Sequence, residues 1–164
     1  EMCRLGPEDL RPIPACLSLY GATSPKKALA DGHISRKVVG TLHYDKRGLA
    51  SIMWREGYMY VNRQGRGRAT ITFDNGPDYF AEGLARTPQN GKLGFFDKSL
   101  RIVIPAMHDF VFPFDGGYAL VCDGCVSQAG EGGKHHSMVG GRWGKIDRQG
   151  HYQALAEGQT PWKQ

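Results

Sequence analysis

Two cysteines and two histidines lie close together in the stretch "CDGCVSQAGEGGKHH", which runs from Cys122 to His136. A Cys-x-x-Cys pair supplies two of the four ligands of a structural zinc site. The candidate zinc ligands are therefore Cys122, Cys125, His135 and His136. Because adjacent histidines in an extended segment point to opposite faces, at most one of them easily joins the cysteines. A disulfide between Cys122 and Cys125 is the favoured interpretation, and free thiols are a third one.

Hydrolytic chemistry is another interpretation of this region. His108-Asp109, His135, His136 and Ser137 include the residue types of a base, an orienting acid and a nucleophile. The serine lacks the Gly-x-Ser-x-Gly context of a nucleophile elbow. The cysteine pair also lacks the βαβ setting and helix N-terminus of a thioredoxin-like redox site. We therefore predict no catalytic residue and no cofactor, with a zinc-dependent or hydrolytic enzyme as the alternative.

The four cysteines suggest where the protein works. They fall as two near pairs, Cys3 with Cys16 and Cys122 with Cys125, which suits local disulfides in an oxidising compartment. The numbered chain begins with Glu1 rather than Met, so it is either a processed mature form or a trimmed chain, and we expect that any export signal has been removed. These observations predict a periplasmic or secreted protein.

Composition narrows the classes of protein. The chain has 164 residues, which suits a single domain, and its 23 glycines and 9 prolines indicate a backbone that turns often. No apolar run approaches the roughly 18 to 20 residues that a membrane-spanning helix needs. The net charge of +5 suits an acidic partner or an anionic envelope polymer. The positive charge is not gathered into a tail or a nucleic-acid motif, so we predict no nucleic-acid binding.

The chain repeats itself. Three segments align: "GLASIMWREGYMYVNRQG" from Gly48, "GLARTPQNGKLGFFDKSL" from Gly83, and "GYALV" from Gly117, which resumes as "GGRWGKIDRQG" at Gly140. The first three anchors are 35 and 34 residues apart. Alternating apolar residues in "YMYV", "ATITF" and "RIVI" predict strands. The repeat therefore predicts stacked hairpin units whose recurring aromatic residues mostly form the core: Tyr58, Tyr60, Phe80, Phe95, Phe96, Phe112, Phe114 and Trp143.

Shared turns separate the predicted strands. Three turns place Asp or Asn first and Gly fourth, which suits a type I turn followed by a residue with positive φ. They are Asp45–Gly48, Asn62–Gly65 and Asp147–Gly150. The turn Asp97–Leu100 ends in leucine instead, which tolerates positive φ poorly. We therefore expect that turn to have a different geometry or a greater length.

Several stretches resemble one bacterial family. "RWGKIDRQG" from Arg142, "KLGFFDKS" from Lys92, "IVIPAMHDF" from Ile102 and "FAEGLA" from Phe80 are similar to the WG-repeat family over roughly residues 40–152. The last copy keeps the Trp143-Gly144 pair, whereas the others have Leu93-Gly94 and Tyr58-Met59. The resemblance implies β-hairpin repeats that mostly serve as binding or structural modules in envelope or secreted proteins, with no common active site.

The predicted organisation has two parts. Residues 1–39 form an N-terminal irregular and helical segment packed on the repeats, and residues 40–164 form the WG-like β-repeat domain. Ser24 and Pro25 predict the N-cap and first turn of a short helix over "KKALADGHI". The third unit is about 16 residues longer than the second, which predicts an inserted loop at residues 122–140. The fold class is therefore mainly β, with about three antiparallel hairpin units after a short helix-bearing segment.

Insertions in repeat proteins usually form loops on one face, where binding surfaces are found. We therefore predict a non-catalytic, extracytoplasmic protein-binding module, in particular an inhibitor or immunity-type protein that blocks an exported enzyme with the inserted loop. Arg63, Lys98 and Arg148 occupy equivalent turn positions, which predicts a basic row on stacked units. The candidate binding residues are Trp54 as an exposed anchor, the three basic residues of the row, and Asp123, Lys134, His135 and His136 in the loop. Solvated polar turns and adhesion to an anionic polymer are the alternatives.

Overall fold

The computed structural model describes residues 2–5, 12–13, 16–19, 31–55, 57–133 and 136–156. In these ranges the chain is mostly strand, and all strand pairings between the elements are antiparallel. The predicted mainly β fold built from hairpin repeats is confirmed. No helix in these ranges is long and apolar enough to cross a membrane.

Each repeat unit is a three-stranded antiparallel meander. The first unit contains β3 (Leu49–Trp54), β4 (Gly57–Asn62) and β5 (Arg66–Thr70). The second contains β8 (Leu84–Gln89), β9 (Lys92–Asp97) and β10 (Ile102–His108). The third contains β12 (Tyr118–Asp123), β15 (Arg142–Asp147) and β16 (Tyr152–Ala154). Gly48, Gly83 and Gly117 precede the first strand of each unit and all have positive φ, at 76°, 81° and 85°.

The N-terminal region extends the sheet of the first unit. Strands β1 (Leu17–Leu19) and β2 (Asp31–Ile34) complete a five-stranded sheet in the order β1-β2-β5-β4-β3. The predicted helix over "KKALADGHI" is wrong at its C-terminal end, because Asp31–Ile34 pairs with β5 as a strand. A single-turn helix, α1 (Arg36–Val39), follows instead. Ser24 and Pro25 lie outside the described residues, so the predicted N-cap stays a prediction.

Short strands occupy the connections. Strands β6 (Thr72–Phe73) and β7 (Gly76–Pro77) form a hairpin between the first and second units. Strand β11 (Phe110–Val111) pairs with β12 at the edge of the third unit's sheet. Strands β13 (Val126–Ala129) and β14 (His136–Val139) form a separate two-stranded sheet within the third unit.

Neighbouring units bury apolar side chains against each other. One cluster joins Leu49 and Tyr60 of the first unit to Ala85, Phe96 and Leu100 of the second. Another joins the second unit to the third and includes Phe95, Ile104, Phe114, Val121 and Ile146. Most of the recurring aromatic residues form part of the core, as expected. Those that are buried are Tyr58, Tyr60, Phe95, Phe96 and Phe114, and those that are half-buried are Phe80, Phe112 and Trp143.

A buried ion pair links the connection before the second unit to its first strand. Asp78 and Arg86 are 1% and 3% exposed, and the Arg86 guanidinium binds both carboxylate oxygens at 2.9 and 2.7 Å. The Arg86 amide also donates to Asp78, and its remaining guanidinium nitrogen donates to the carbonyl oxygen of Val111. The pair therefore connects β8 to the segment before it and to β11.

The four polar turns share one hydrogen-bonding pattern. In each, the first side chain accepts hydrogen bonds from the backbone amides two and four residues later, which closes an Asx turn. The first residues are Asp45, Asn62, Asp97 and Asp147.

The expectation of a different geometry at Asp97–Leu100 is wrong. Leu100 adopts φ 65°, and its amide donates to the Asp97 carbonyl at 2.9 Å, as the equivalent Gly150 amide does to Asp147. Leu100 is fully buried between the first two units. Burial of its side chain offsets the roughly 1 to 2 kcal/mol cost of a left-handed backbone.

Leu100 provides a test of this balance. Alanine at this position keeps the backbone strain and loses most of the buried side chain, whereas glycine loses the side chain and removes the strain. We expect Leu100→Gly to be more stable than Leu100→Ala by about 1 kcal/mol, although glycine is ordinarily the less favourable residue. Urea denaturation of both variants measures the difference, and a more stable Leu100→Ala would show that the backbone stores no strain here.

Gly144 follows Trp143 in the third unit, and Gly94 follows the equivalent Leu93 in the second. Each of these glycines lies close against the strand that follows it. A Cβ on Gly94 would meet backbone atoms of β10, including the amide nitrogen of Ala106 at 2.7 Å. A Cβ on Gly144 would meet the Tyr152 ring. In the first unit Met59 stands at this position, and its side chain lies where a Cβ on Gly67 would be. In the first unit the glycine is therefore on the neighbouring strand, at Gly67, and this leaves space for the Met59 side chain in place of the glycine of Trp-Gly.

Candidate binding hairpin

The insertion replaces the tip of the first hairpin of the third unit. In the second unit, Gln89 pairs with Lys92 across the two-residue turn Asn90–Gly91. In the third unit, Asp123 pairs with Arg142, so residues 124–141 occupy the same place. This difference of sixteen residues agrees with the length expected from the repeat. The inserted segment therefore extends two paired strands, β12 and β15, beyond the end of the sheet.

The insertion is itself a hairpin, which we call the inserted hairpin (residues 126–139). Val126 pairs with Val139 and Ala129 pairs with His136, in a continuous four-residue register. All of β13 is exposed, with Val126 at 62%, and Met138 and Val139 of β14 are half-buried. Among the described residues β13 and β14 pair with each other alone. Strand β13 and the first two residues of β14 are therefore exposed to solvent.

A disulfide closes the neck of the inserted hairpin. Cys122 and Cys125 are bonded, with Cα atoms 5.9 Å apart, and Cys122 is fully buried. Gly141 lies against this turn so closely that a Cβ would stand 2.5 Å from the Cys125 amide nitrogen. Cys3 and Cys16 form a second disulfide beside the first unit. Both disulfides predicted from the spacing of the cysteines are present.

The zinc alternative gains no support from this disulfide. That interpretation uses Cys122 and Cys125 as thiolate ligands, whereas their sulfurs are bonded to each other in the structure. His136 pairs with Ala129, at the end of the hairpin strands away from Cys125. Among the residues described, no group of three or more metal-binding side chains forms. Lys134 and His135 lie outside the described residues, so their predicted roles stay predictions.

The residues of the hydrolytic alternative contact other partners. The His108 ring pairs with Asp123 rather than with Asp109, at 2.9 Å from Nδ1 to the carboxylate. His136 lies 3.4 Å from the hydroxyl of Ser127, on the opposite strand of the hairpin. In the described part of the chain no hydrogen bond joins Ser137 to either histidine. These contacts do not assemble the base, acid and nucleophile of a triad.

A polar network supports the neck from the second unit. Asp123 accepts hydrogen bonds from the His108 ring and from the Asp109 amide, each at 2.9 Å. Asp109 in turn accepts from the Gly124 amide at 2.6 Å and pairs with Lys92. The predicted binding residue Asp123 is thus half-buried and engaged at the neck. Sequence reasoning missed Lys92 and the Asp123 partner of His108, because their contacts depend on how two units stack.

Both carboxylates of this network are held in the charged form. The Gly124 amide and then Lys92 lower the pKa of Asp109. Partial burial raises the pKa of Asp123, but hydrogen bonds from His108 and from the Asp109 amide lower it more, so the net pKa is below its usual value. A carboxyl group whose pKa is lower in the folded state stabilises that state at pH values above its unfolded-state pKa. This stabilisation is lost as the pH falls through the folded-state pKa.

The network therefore predicts acid-sensitive opening of the neck. In an NMR titration, we expect the amide resonances of Asp109 and Gly124 to shift together with a midpoint below 3.8, the ordinary aspartate value. Amides inside β4, which pairs with β3 and β5 and donates no hydrogen bond to these carboxylates, serve as the internal reference. A midpoint at or above the ordinary value would contradict the network.

Comparison with known families identifies part of this region. Residues 94–124, which run from Gly94 in β9 to Gly124 at the neck, match the family model of the WG containing repeat. This segment is similar to the WG containing repeat. No curated protein and no solved structure matches the chain. The matched segment ends at the neck, so the inserted hairpin lies outside the match.

The tryptophan of the third unit also fixes the neck. The Trp143 indole N–H donates to the carbonyl oxygen of Gly140 at 2.9 Å, and its ring lies 5.7 Å from the ring of Phe112. In the second unit the equivalent residue is Leu93, which has no such donor. The Trp-Gly pair of this WG-like unit therefore holds the inserted hairpin as well as packing the sheet.

Trp54 is not the exposed anchor that the sequence predicted. It is 7% exposed, packs in the core of the first unit, and donates from its indole N–H to the Tyr58 carbonyl at 3.3 Å. Its position at the end of β3 suggested a connection, but strand pairing continues to Gly57. Residue type alone does not distinguish a buried strand end from an exposed loop.

The predicted basic row forms in part. Arg63 and Lys98 line one surface depression between the turns of the first two units. Arg148 is not among the lining residues, and its guanidinium donates to the backbone oxygen of Glu82 at 2.6 Å. The three turns are therefore equivalent in backbone geometry but present their cations to different neighbours.

Proposed function

We propose that this chain is a non-catalytic protein-binding module that contacts its partner through the inserted hairpin. The observation that supports the proposal most is an exposed hairpin on a neck fixed by covalent and polar contacts. WG-repeat units supply the scaffold. The exposed side chains of β13 pack against no other strand in the described part of the chain.

A rigid neck favours tight binding. Side chains and loops that become ordered on association each reduce affinity, and a segment already held in its bound shape avoids that loss. Here the disulfide, the Trp143 donor and the Asp109–Asp123 network fix the direction in which the hairpin leaves the sheet. The strands beyond the neck present alternating side chains on two faces and unpaired edges, which suit a cleft or an edge strand of another protein.

The specific form of the proposal is an inhibitor or immunity-type protein. A narrow hairpin projecting from a small scaffold has the shape to enter the active-site cleft of an exported enzyme and block it. The two disulfides favour an oxidising compartment, the periplasm or the outside of the cell, as the place of action. Both the location and the inhibitory role are parts of this proposal.

Hairpin deletion tests the proposal. Removal of residues 126–139 leaves Gly124, Cys125, Gly140 and Gly141 as a four-residue loop between β12 and β15, a common hairpin length. The intact chain and the deletion variant are used in parallel to capture proteins from envelope extracts. We expect a protein that binds the intact chain and is lost with the hairpin, and its activity is then assayed with and without the chain.

A matched pair of substitutions provides the control. Val126 on the hairpin and Val103 on β10 are both exposed strand valines, at 62% and 42%. Val126→Asp is expected to weaken binding of the captured protein at least tenfold, and Val103→Asp is expected to leave it unchanged. Equal binding by the intact and hairpin-deleted chains would contradict the proposal.

A further inference from the structure

A second surface lies at the other end of the strands from the inserted hairpin. Residues of three Asx turns border one depression of about 340 Å³, which we call the basic depression. Its charged lining residues are all cations: Arg47, Arg63 and Lys98. Gln64 and Ser99 add polar side chains to the same lining.

The three cations have unequal internal partners. Arg47 pairs with Asp45 at 2.7 Å, and its guanidinium lies 4.5 Å from the ring centre of Phe80. The Arg63 guanidinium lies 4.3 Å from the ring centre of Tyr44 and pairs with no carboxylate in the described residues. Lys98 is exposed and forms no ion pair or hydrogen bond with any residue that the structure describes. Two positive charges are therefore uncompensated in one depression.

The next junction between units has a different arrangement. Lys98 of the second unit corresponds to Arg148 of the third, and Arg47 before the first unit corresponds to Glu82 before the second. Where Arg148 meets Glu82, the cation donates to the Glu82 backbone, and the Glu82 carboxylate accepts from the Gly117 amide. At the earlier junction both positions carry positive charge. Asp45 compensates Arg47 there, but Arg63 and Lys98 line the same depression without a carboxylate partner in the described residues, and such an arrangement favours a bound anion.

We propose that the basic depression binds an acidic segment of a partner protein. A single phosphate group is usually held by free backbone amides, but the amides of Arg47, Gln64 and Ser99 already donate to Asx side chains. The available donors are at the ends of separate long side chains, which suits several carboxylates spread along a peptide. The Arg63 guanidinium over the Tyr44 ring has no carboxylate partner among the described residues, so its N–H donors are free for those carboxylates, whereas Arg47 already donates from Nε and one Nη to Asp45. This proposal does not rest on the role of the inserted hairpin.

Peptide binding tests the basic depression directly. The probe is a fluorescein-labelled ten-residue peptide with four glutamates separated by glycines, measured by anisotropy in low salt. We expect binding that Arg63→Gln/Lys98→Gln weakens about tenfold or more, and that raising the salt to about 0.5 M largely abolishes. Arg148→Gln removes one charge from the equivalent turn of the third unit, and we expect it to change binding less than twofold, against about fivefold for Lys98→Gln.

Charge reversal gives a second readout that needs no ligand. Lys98→Glu places a carboxylate in the depression, so we expect it to raise the thermal midpoint at low salt and to abolish peptide binding. Peptide binding that Arg63→Gln/Lys98→Gln leaves unchanged would overturn the assignment, as would a lowered midpoint for Lys98→Glu. Tighter binding of polyphosphate than of the peptide, with the same dependence on Arg63 and Lys98, would overturn the assignment of a protein partner and indicate an anionic polymer as the ligand. None of these measurements involves the hairpin, so their failure is separate from failure of the proposed function.

Discussion

Asp78→Ala is expected to lower the free energy of unfolding by about 3 to 5 kcal/mol, because it leaves the Arg86 guanidinium buried without its carboxylate. Arg86 is 3% exposed, and two of its three guanidinium nitrogens bind Asp78. Because both side chains are buried, water does not readily replace those bonds, and the Val111 carbonyl accepts only from the third nitrogen. Urea denaturation followed by tryptophan fluorescence measures the loss.

Two further variants separate burial from charge pairing. Arg101→Gln breaks the exposed pair with Asp97, in which the Arg101 side chain is 72% exposed, and is expected to cost less than about 1 kcal/mol. The double variant Asp78→Leu/Arg86→Met removes both charges together and is expected to recover most of the stability. A loss for Asp78→Ala as small as that for Arg101→Gln would show that Arg86 reaches water in solution.

The repeat register could be predicted from the sequence because its markers are local. Gly48, Gly65 and Gly150 all adopt the positive φ predicted for the fourth turn position, and the Asx turns follow from an Asp or Asn at a fixed distance from the next strand. Leu100 shows the limit of such reasoning. Its backbone geometry is set by the burial of its side chain between two units, which no turn rule contains.

The location of the candidate site could also be predicted, but its construction could not. A length difference between copies is visible in the sequence and identifies the place of the inserted hairpin. The contacts of Asp123 with His108, and of Lys92 with Asp109, join residues of two units and depend on how those units stack. In the same way, the strand at Asp31–Ile34 forms because β5 is available to pair with it. Long-range pairing overrides local helix preference at such positions.

The two ends of the third unit have different tasks in this scheme. One end carries the inserted hairpin on a fixed neck, and the Asx turn at the other end ties Arg148 to the preceding loop. The first two units lack the insertion and leave the basic depression between their turns. Departures from an exact repeat therefore mark both surfaces that we propose for binding.

Gly94→Ala is expected to destabilise the protein by about 3 kcal/mol, because overpacking is costly where the neighbouring atoms belong to the backbone. The new methyl group would meet the Ile104 carbonyl oxygen, the Pro105 carbonyl carbon at 2.8 Å and the Ala106 nitrogen at 2.7 Å, so relief requires β10 to move off β9. Gly144→Ala is the matched control in the third unit. The three atoms nearest to its methyl group all belong to the side chain of Tyr152, which is half-exposed on the short strand β16 and can rotate away. We expect that change to cost about 1 kcal/mol in urea denaturation, and equal losses for the two variants would mean that the close approach of strands is not what requires glycine at this position of the repeat.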